Sequence, residues 1–215
     1  MKNLLTALFV TATWVGFAQT KVTERATVSD QDLLELKFDF ADEITVKTWD
    51  KQEVYVEVSV SINDGEYDHI FSLEKRETSR SITIEMDKDM WDKIDRKDNN
   101  CSWQTDLYYT VYMPKNMKVD AYTISGDFIL TNYPRDMKLK TISGDIDISV
   151  PSTEGIDFDA KTISGEIYSD LNIAYPEGKD GLRQIVGMKV KGRINNGGIP
   201  MELETISGDI FLRKG

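Results

Sequence analysis

Four acidic residues hold equivalent places in four near-copies of one phrase. Asp127, Asp145, Glu166 and Asp209 follow the glycine of Thr123-Ile124-Ser125-Gly126, Thr141-Ile142-Ser143-Gly144, Thr162-Ile163-Ser164-Gly165 and Thr205-Ile206-Ser207-Gly208. If the copies stack as neighbouring strands, about 4.8 Å apart, these carboxylates form a column of like charge. A bound calcium ion would relieve the repulsion, because hard cations take several carboxylate and carbonyl oxygens. The phrase is not the Gly-Gly-x-Gly-x-Asp nonapeptide of calcium-binding β-rolls, and a solvated acidic edge is the ordinary meaning of such charges. Calcium is therefore a weak candidate, and no other cofactor is expected.

Other reactive groups are sparse. Ser125, Ser143, Ser164 and Ser207 recur with the repeat, which fits a ladder of structural hydroxyls better than one activated nucleophile. His69 is the only histidine, so His-dependent nucleophilic catalysis and zinc hydrolysis lack their usual parts. Carboxylates abound, yet no motif singles out a pair for glycoside hydrolysis. No catalytic residue is expected, and a carbohydrate-active enzyme is the least supported reading. Trp91 and Trp103, inside the charged stretch 87–106, are the ligand or partner candidates, with stacking of sugar rings as the sharp version. In the plainer version they fold back and cover the body of the protein, as large aromatics mostly do.

These residues need elements to position them. The copies are spaced by 18, 21 and 43 residues, and a degenerate copy at Lys189-Val190-Lys191-Gly192-Arg193-Ile194 divides the last interval into 27 and 16. Arg193 interrupts the acidic column there. Five coils with two short strands each and no helical pattern predict an all-β, single-domain β-solenoid, built from coils of about 16–27 residues. Gly126, Gly144, Gly165, Gly192 and Gly208 mark the corners, where a side chain would resist the bend. Strict alternation puts Leu139 and Thr141 on one face and Ile142 on the other, but an earlier bend reverses the assignment.

Upstream, Leu34, Leu36, Phe38 and Phe40 alternate with charged residues as a half-buried strand; Ile44 and Val46 follow a turn as a second, and Val54, Val56, Val58 and Val60 form a third. Asp50-Lys51-Gln52 reads as a hairpin-like turn between the last two. Residues 70–73 and 82–86 supply two further strands around the charged run 74–80. The insertion 87–106 comes next, followed by the aromatic strand 107–113, which Pro114 stops. Residues 19–120 are thus opening coils and 121–215 the repeat coils, with an irregular loop over 172–187. The C-terminal coil is expected to be an open end, blunted by Arg213 and Lys214 in a monomer or paired in an end-to-end oligomer.

The Thr-x-Ser-Gly-Asp-Ile phrases resemble the putative adhesin family of bacterial envelope proteins with β-strand repeats. So do Val111-Tyr112-Met113-Pro114-Lys115 before Val119, Glu43-Ile44-Thr45-Val46, and Glu53-Val54-Tyr55-Val56-Glu57-Val58. The resemblance extends over most of the chain. It implies a β-solenoid with a surface role and carries over no catalytic or binding residue.

Lys2, the apolar run over 4–17, and Gly16 and Ala18 in small-residue positions read as a signal peptide spanning 1–18, leaving a domain over 19–215. The run is shorter than a membrane span and includes Thr6, Thr11 and Thr13, so no transmembrane segment is expected in the mature chain. Export to the periplasm, cell surface or medium follows. With 37 acidic against 26 basic residues the net charge is −11, which opposes nucleic acid as a partner. Cys101 is the sole cysteine, so no intramolecular disulfide forms. The sequence therefore predicts a non-catalytic, adhesin-like platform of the envelope or surface that binds a protein or glycan. A periplasmic accessory of envelope sensing or assembly is the alternative.

Overall fold

The structure, a computed structural model, describes residues 19–93, 104–132, 134–175 and 188–215. The expected leader, Cys101 and Trp103 lie outside the described residues. In chain order the strands are β1 (Thr20–Thr27), β2 (Leu33–Trp49), β3 (Glu53–Ile62), β4 (Leu73–Glu77), β5 (Ser81–Met86), β6 (Thr105–Pro114), β7 (Lys118–Leu130), β8 (Asp136–Ser143), β9 (Ile146–Val150), β10 (Ile156–Ser164), β11 (Ile167–Ser169), β12 (Ile173–Ala174), β13 (Met188–Ile194), β14 (Ile199–Ser207) and β15 (Ile210–Lys214). Short 3-10 turns cover Asp68–Ile70 and Lys88–Lys93. The fold is all-β and forms a single domain.

Two long strands organise it. β2 and β7 run parallel through both halves of their length, with a register shift between Phe40 and Glu43 where β2 bends. The first half of β2 also pairs with β5 and the second half with β6. The copies at 141, 162 and 205 each give one strand before the glycine and one after, whereas β7 runs on through Gly126. Two rows result: β4-β5-β2-β7-β8-β14-β10-β13-β12, and β1-β3-β6-β2-β7-β9-β15-β11. The alternate residues that face inward from both rows make one core. Phe38 of the first row stacks on Tyr109 of the second, with ring centroids 4.2 Å apart. Leu36, Val46, Val58, Phe128, Leu139, Ile148 and Leu203 are buried around them, each worth about 1.5–3 kcal/mol relative to exposure. Burial drives the Tyr109 hydroxyl far above the ordinary phenol range.

Several expectations need correction. Copies do not stack in chain order: the copy at 205 lies between those at 141 and 162, because β14 pairs in parallel with both β8 and β10, and β15 with both β9 and β11. The C-terminal copy is therefore interior and not an open end. Lys189 to Ile194 is no fifth coil, since β13 pairs antiparallel with β10 and closes that side of the stack. Asp50-Lys51-Gln52 joins β2 to β3 without a hairpin, because β6 inserts between them. The two strand signals in 33–49 are one bulged strand. Residues 68–70 form a 3-10 turn, and the charged residues after Leu73 are strand β4, exposed along its length at the margin of its row. The loop over 172–187 contains β12, and the insertion 87–106 ends where β6 begins at Thr105.

Asp87 anchors the turn that opens the insertion. Its carboxylate accepts from Lys93 Nζ at 2.7 Å, from the Asp89 N–H at 2.9 Å and from Ser72 Oγ at 3.0 Å. Chiefly through the Lys93 bond, these donors hold it below the usual carboxylate range. A depressed folded pKa gives stability that is complete above the unfolded value, about 3.9, and is lost as pH falls through the folded one. Asp87→Asn is expected to cost about 1 kcal/mol at neutral pH, with native and variant melting temperatures converging below about pH 3.

Candidate binding face

The repeat residues meet at the bend between the rows. Thr123, Thr141, Thr162 and Thr205 are buried, whereas Ile124, Ile142 and Ile206 are half-buried, Ile163 is exposed, and Ser125, Ser143, Ser164 and Ser207 are exposed. The phrase therefore turns its threonines inward and its isoleucines outward. Thr141 Oγ1 donates to the Gly126 carbonyl at 3.2 Å, Thr205 Oγ1 to Gly144 at 3.0 Å and Thr162 Oγ1 to Gly208 at 2.9 Å. Each such bond adds about 1 kcal/mol and satisfies a hydroxyl that burial would otherwise penalise.

Gly126, Gly144 and Gly208 adopt φ of +143°, +154° and +156°. A Cβ on Gly208 would overlap the Gly144 carbonyl, and one on Gly144 the Gly126 carbonyl. Gly165 meets Gly208 in the same way. Gly192 differs: it lies in β13 opposite Phe158, and a Cβ there would strike the Phe158 ring and Ile173.

The acidic column is a hydrogen-bond ladder. Asp127 Oδ1 accepts the Asp145 N–H at 2.8 Å, Asp145 Oδ1 the Asp209 N–H at 2.7 Å, and Asp209 Oδ1 the Glu166 N–H at 2.8 Å. Each carboxylate thus meets a backbone donor of the next copy, which offsets the like-charge repulsion. Glu166 stands last, where no further copy must be reached, and the longer side chain is tolerated. Among the described residues, no group of three or more His, Cys, Asp or Glu could hold a metal ion.

Trp91 is half-buried on the 3-10 turn at 88–93 and meets Phe40, at the bend of β2, edge to face at 6.1 Å. Phe40 in turn stands opposite Ser125 in the β2–β7 register, beside the first copy of the repeat. An open recess of about 620 Å³ at the far end of the stack is lined by Phe158, Ile167, Leu171, Ile173, Tyr175 and Val190, and the chain beyond Tyr175 leaves the described residues.

The outer face of the other row carries a cluster that the sequence reading missed. Trp49, Tyr55 and Tyr112 project outward from β2, β3 and β6. Their ring centroids lie 5.1 Å (Trp49–Tyr112), 6.1 Å (Tyr55–Tyr112) and 6.4 Å (Trp49–Tyr55) apart, with planes within 27° of parallel. Register explains the meeting, since Tyr55 stands opposite Tyr112, and Tyr112 opposite Lys47, two residues before Trp49. Three cations cover ring faces: Arg25 over Tyr55 at 4.3 Å, Lys51 over Trp49 at 4.5 Å and Lys47 over Tyr112 at 5.8 Å. Trp49 Nε1 donates to the Glu53 carbonyl at 2.7 Å and is fixed by it. Glu57 accepts from Lys21 and from the Tyr55 hydroxyl, which hold its carboxyl below the usual range, while burial first and Glu57 second raise the Tyr55 hydroxyl. The signal available in the sequence was aromatic residues at positions where alternation calls for polar ones.

The Toastrack DUF4097 family matches residues 99–213, more than half of the chain. This protein belongs to that family. Among curated proteins, none matches this Toastrack sequence. Among solved structures, a putative cell adhesion protein from Clostridium sporogenes shares its fold, with a TM-score of 0.53 and 8% identity over 92% of this chain and 100% of that one. A putative adhesin from Bacteroides fragilis aligns over 91% of this chain and 97% of its own at 7% identity, with a TM-score of 0.27. No helix among the described residues of this Toastrack protein is long and apolar enough to cross a membrane.

Proposed function

We propose that this Toastrack protein is an exported, non-catalytic β-solenoid of the cell envelope or surface, and that it binds a glycan or protein partner on the outer face around Trp49, Tyr55 and Tyr112. The observation that carries the reading is that cluster: three aromatic side chains, two of them on strands rich in polar outward residues, held in fixed geometry on a solvent-facing sheet. Aromatic side chains and nearby cations are the residue types that dominate recognition energetics. The in-register stack of repeat copies supports the solenoid, and the apolar leader at 1–18 supports export. The adhesion label of the Clostridium sporogenes protein agrees with a surface role.

The test is an array of neutral and acidic glycans, beside pull-downs from envelope extracts, with the native chain and a Trp49→Ala/Tyr112→Ala variant. A saturable ligand that the variant binds about tenfold or more weakly is expected. A ligand bound equally by both proteins would remove the face from the reading.

A further inference from the structure

The geometry points to an anionic polysaccharide, a chain carrying carboxylates or sulfates, as the ligand of the Trp49 face; this rests on the platform reading above. Sugars that stack through their C–H faces need an open ring face. Here the faces of Trp49, Tyr55 and Tyr112 are taken up by one another and by Arg25, Lys47 and Lys51. Ring edges and ammonium groups are left for a ligand. An aromatic quadrupole is positive at its edge, so both components attract anions.

Charge balance sharpens the point. Arg25 is paired with Glu53 at 3.2 Å and Lys21 with Glu57 at 2.8 Å, but among the described residues neither Lys47 nor Lys51 has a carboxylate within ion-pair distance. Lys51 over Trp49 and Lys47 over Tyr112 are two cations without such partners on a chain whose net charge is −11, and they share the face with Glu53 and Glu57, which Arg25 and Lys21 already pair. An anionic ligand would meet two ammonium groups that no carboxylate of the described residues already pairs. Asp50, exposed in the turn between them in sequence, is the acidic group nearest along the chain and forms no ion pair with either.

The same face argues against a peptide. β3, β6 and β2 are each hydrogen-bonded on both sides here, which leaves no strand edge to extend. The face does offer outward hydroxyls, on Thr23, Thr45, Thr110 and Tyr108, in rows beside the aromatic cluster. Hydroxyls beside a positive site match a hydroxyl-rich polymer with regularly spaced anions.

The test measures binding of the purified chain to immobilised polygalacturonate, with its fully methyl-esterified form as a matched polymer of the same backbone without charge, and poly-glutamate as a polyanion without sugar. Polygalacturonate is expected to bind, to weaken with added salt, and to exceed the methyl ester about tenfold or more. Lys47→Gln/Lys51→Gln is expected to weaken it about tenfold with an unchanged melting temperature, while Lys88→Gln, an exposed lysine elsewhere, binds as the native chain does. Equal binding of the methyl ester, still lost in Trp49→Ala/Tyr112→Ala, would overturn the anionic assignment and leave the platform standing. Poly-glutamate bound equally, with the same lysine dependence, would overturn the glycan class. No binding of either pectin form, with an array signal that Trp49→Ala/Tyr112→Ala does not alter, would bring down both readings.

Discussion

A chain that stops at Gly198 is expected to lose the fold of its last third and not simply its last repeat. β14 and β15 fill the slot between β8 and β10 and between β9 and β11. Without them β10 keeps only β13, and β11 keeps no partner strand. Met201, Leu203, Ile210 and Leu212 are buried. At roughly 1.5–3 kcal/mol each, their loss is comparable with the whole stability of a typical domain, about 5–15 kcal/mol. Limited proteolysis should cut the truncated chain within 156–194 at protease levels that spare the native protein, and urea unfolding should lose its single sharp transition. A synthetic peptide covering 199–215 should restore protection, because the slot is lined on both sides by parallel partners. If the truncated chain unfolded in one transition at the native midpoint, stacking in chain order would be right and the inserted position of β14 wrong.

Gly208→Ala should be the most damaging single methyl in the repeat column. The substitution places a Cβ against the Gly144 carbonyl while demanding φ near +156° of an L-residue. Neither neighbour can yield cheaply, since the obstacle is backbone already bonded to Thr205 and to adjoining strands. The expected loss is about 2–4 kcal/mol, combining backbone strain with overpacking. Urea midpoints at unchanged slope measure it, and Ser207→Ala, one residue away but exposed, should stay within about 0.5 kcal/mol of native. Because Gly144 and Gly208 touch, Gly144→Ala/Gly208→Ala should cost less than the sum of the singles: once one copy has been pushed aside, the second methyl meets less resistance. A fall below about 0.5 kcal/mol for Gly208→Ala would mean that the copies are not packed at this distance.

Local pattern and tertiary arrangement contributed unequally to what could be read. Alternation of Leu34 through Phe40, of Val54 through Val60 and of the residues around Leu139 was enough to find strands and their buried faces, because period two and one-sided burial are properties of the strand itself. The recurring Thr-Ile-Ser-Gly phrase was enough to announce parallel, in-register stacking, and the glycines were enough to locate the bends. It could not say which copy lies beside which. Any two copies are equally complementary, since Thr hydroxyl to Gly carbonyl and Asp carboxylate to the next N–H are the same bonds in every pairing. The spatial order was decided by the chain's excursion through β12 and β13, whose antiparallel return leaves β14 to enter beside β8. Only with that order known does the single glutamate make sense, since Glu166 is third in the chain and last in the column.

The candidate face followed the same division. Trp91 and Trp103 drew attention because they lie in an irregular charged stretch, where composition alone makes an aromatic conspicuous. Trp49, Tyr55 and Tyr112 lie in regular strands, far apart in the chain, and become one cluster only through the register of β3 against β6 and of β6 against β2. The sequence by itself determined the strands, the bends and the acid surplus, because these depend on short-range pattern and on summed charge. The tertiary structure alone decided the order of the copies and the meeting of the three rings, because both depend on pairings between residues that no local pattern distinguishes.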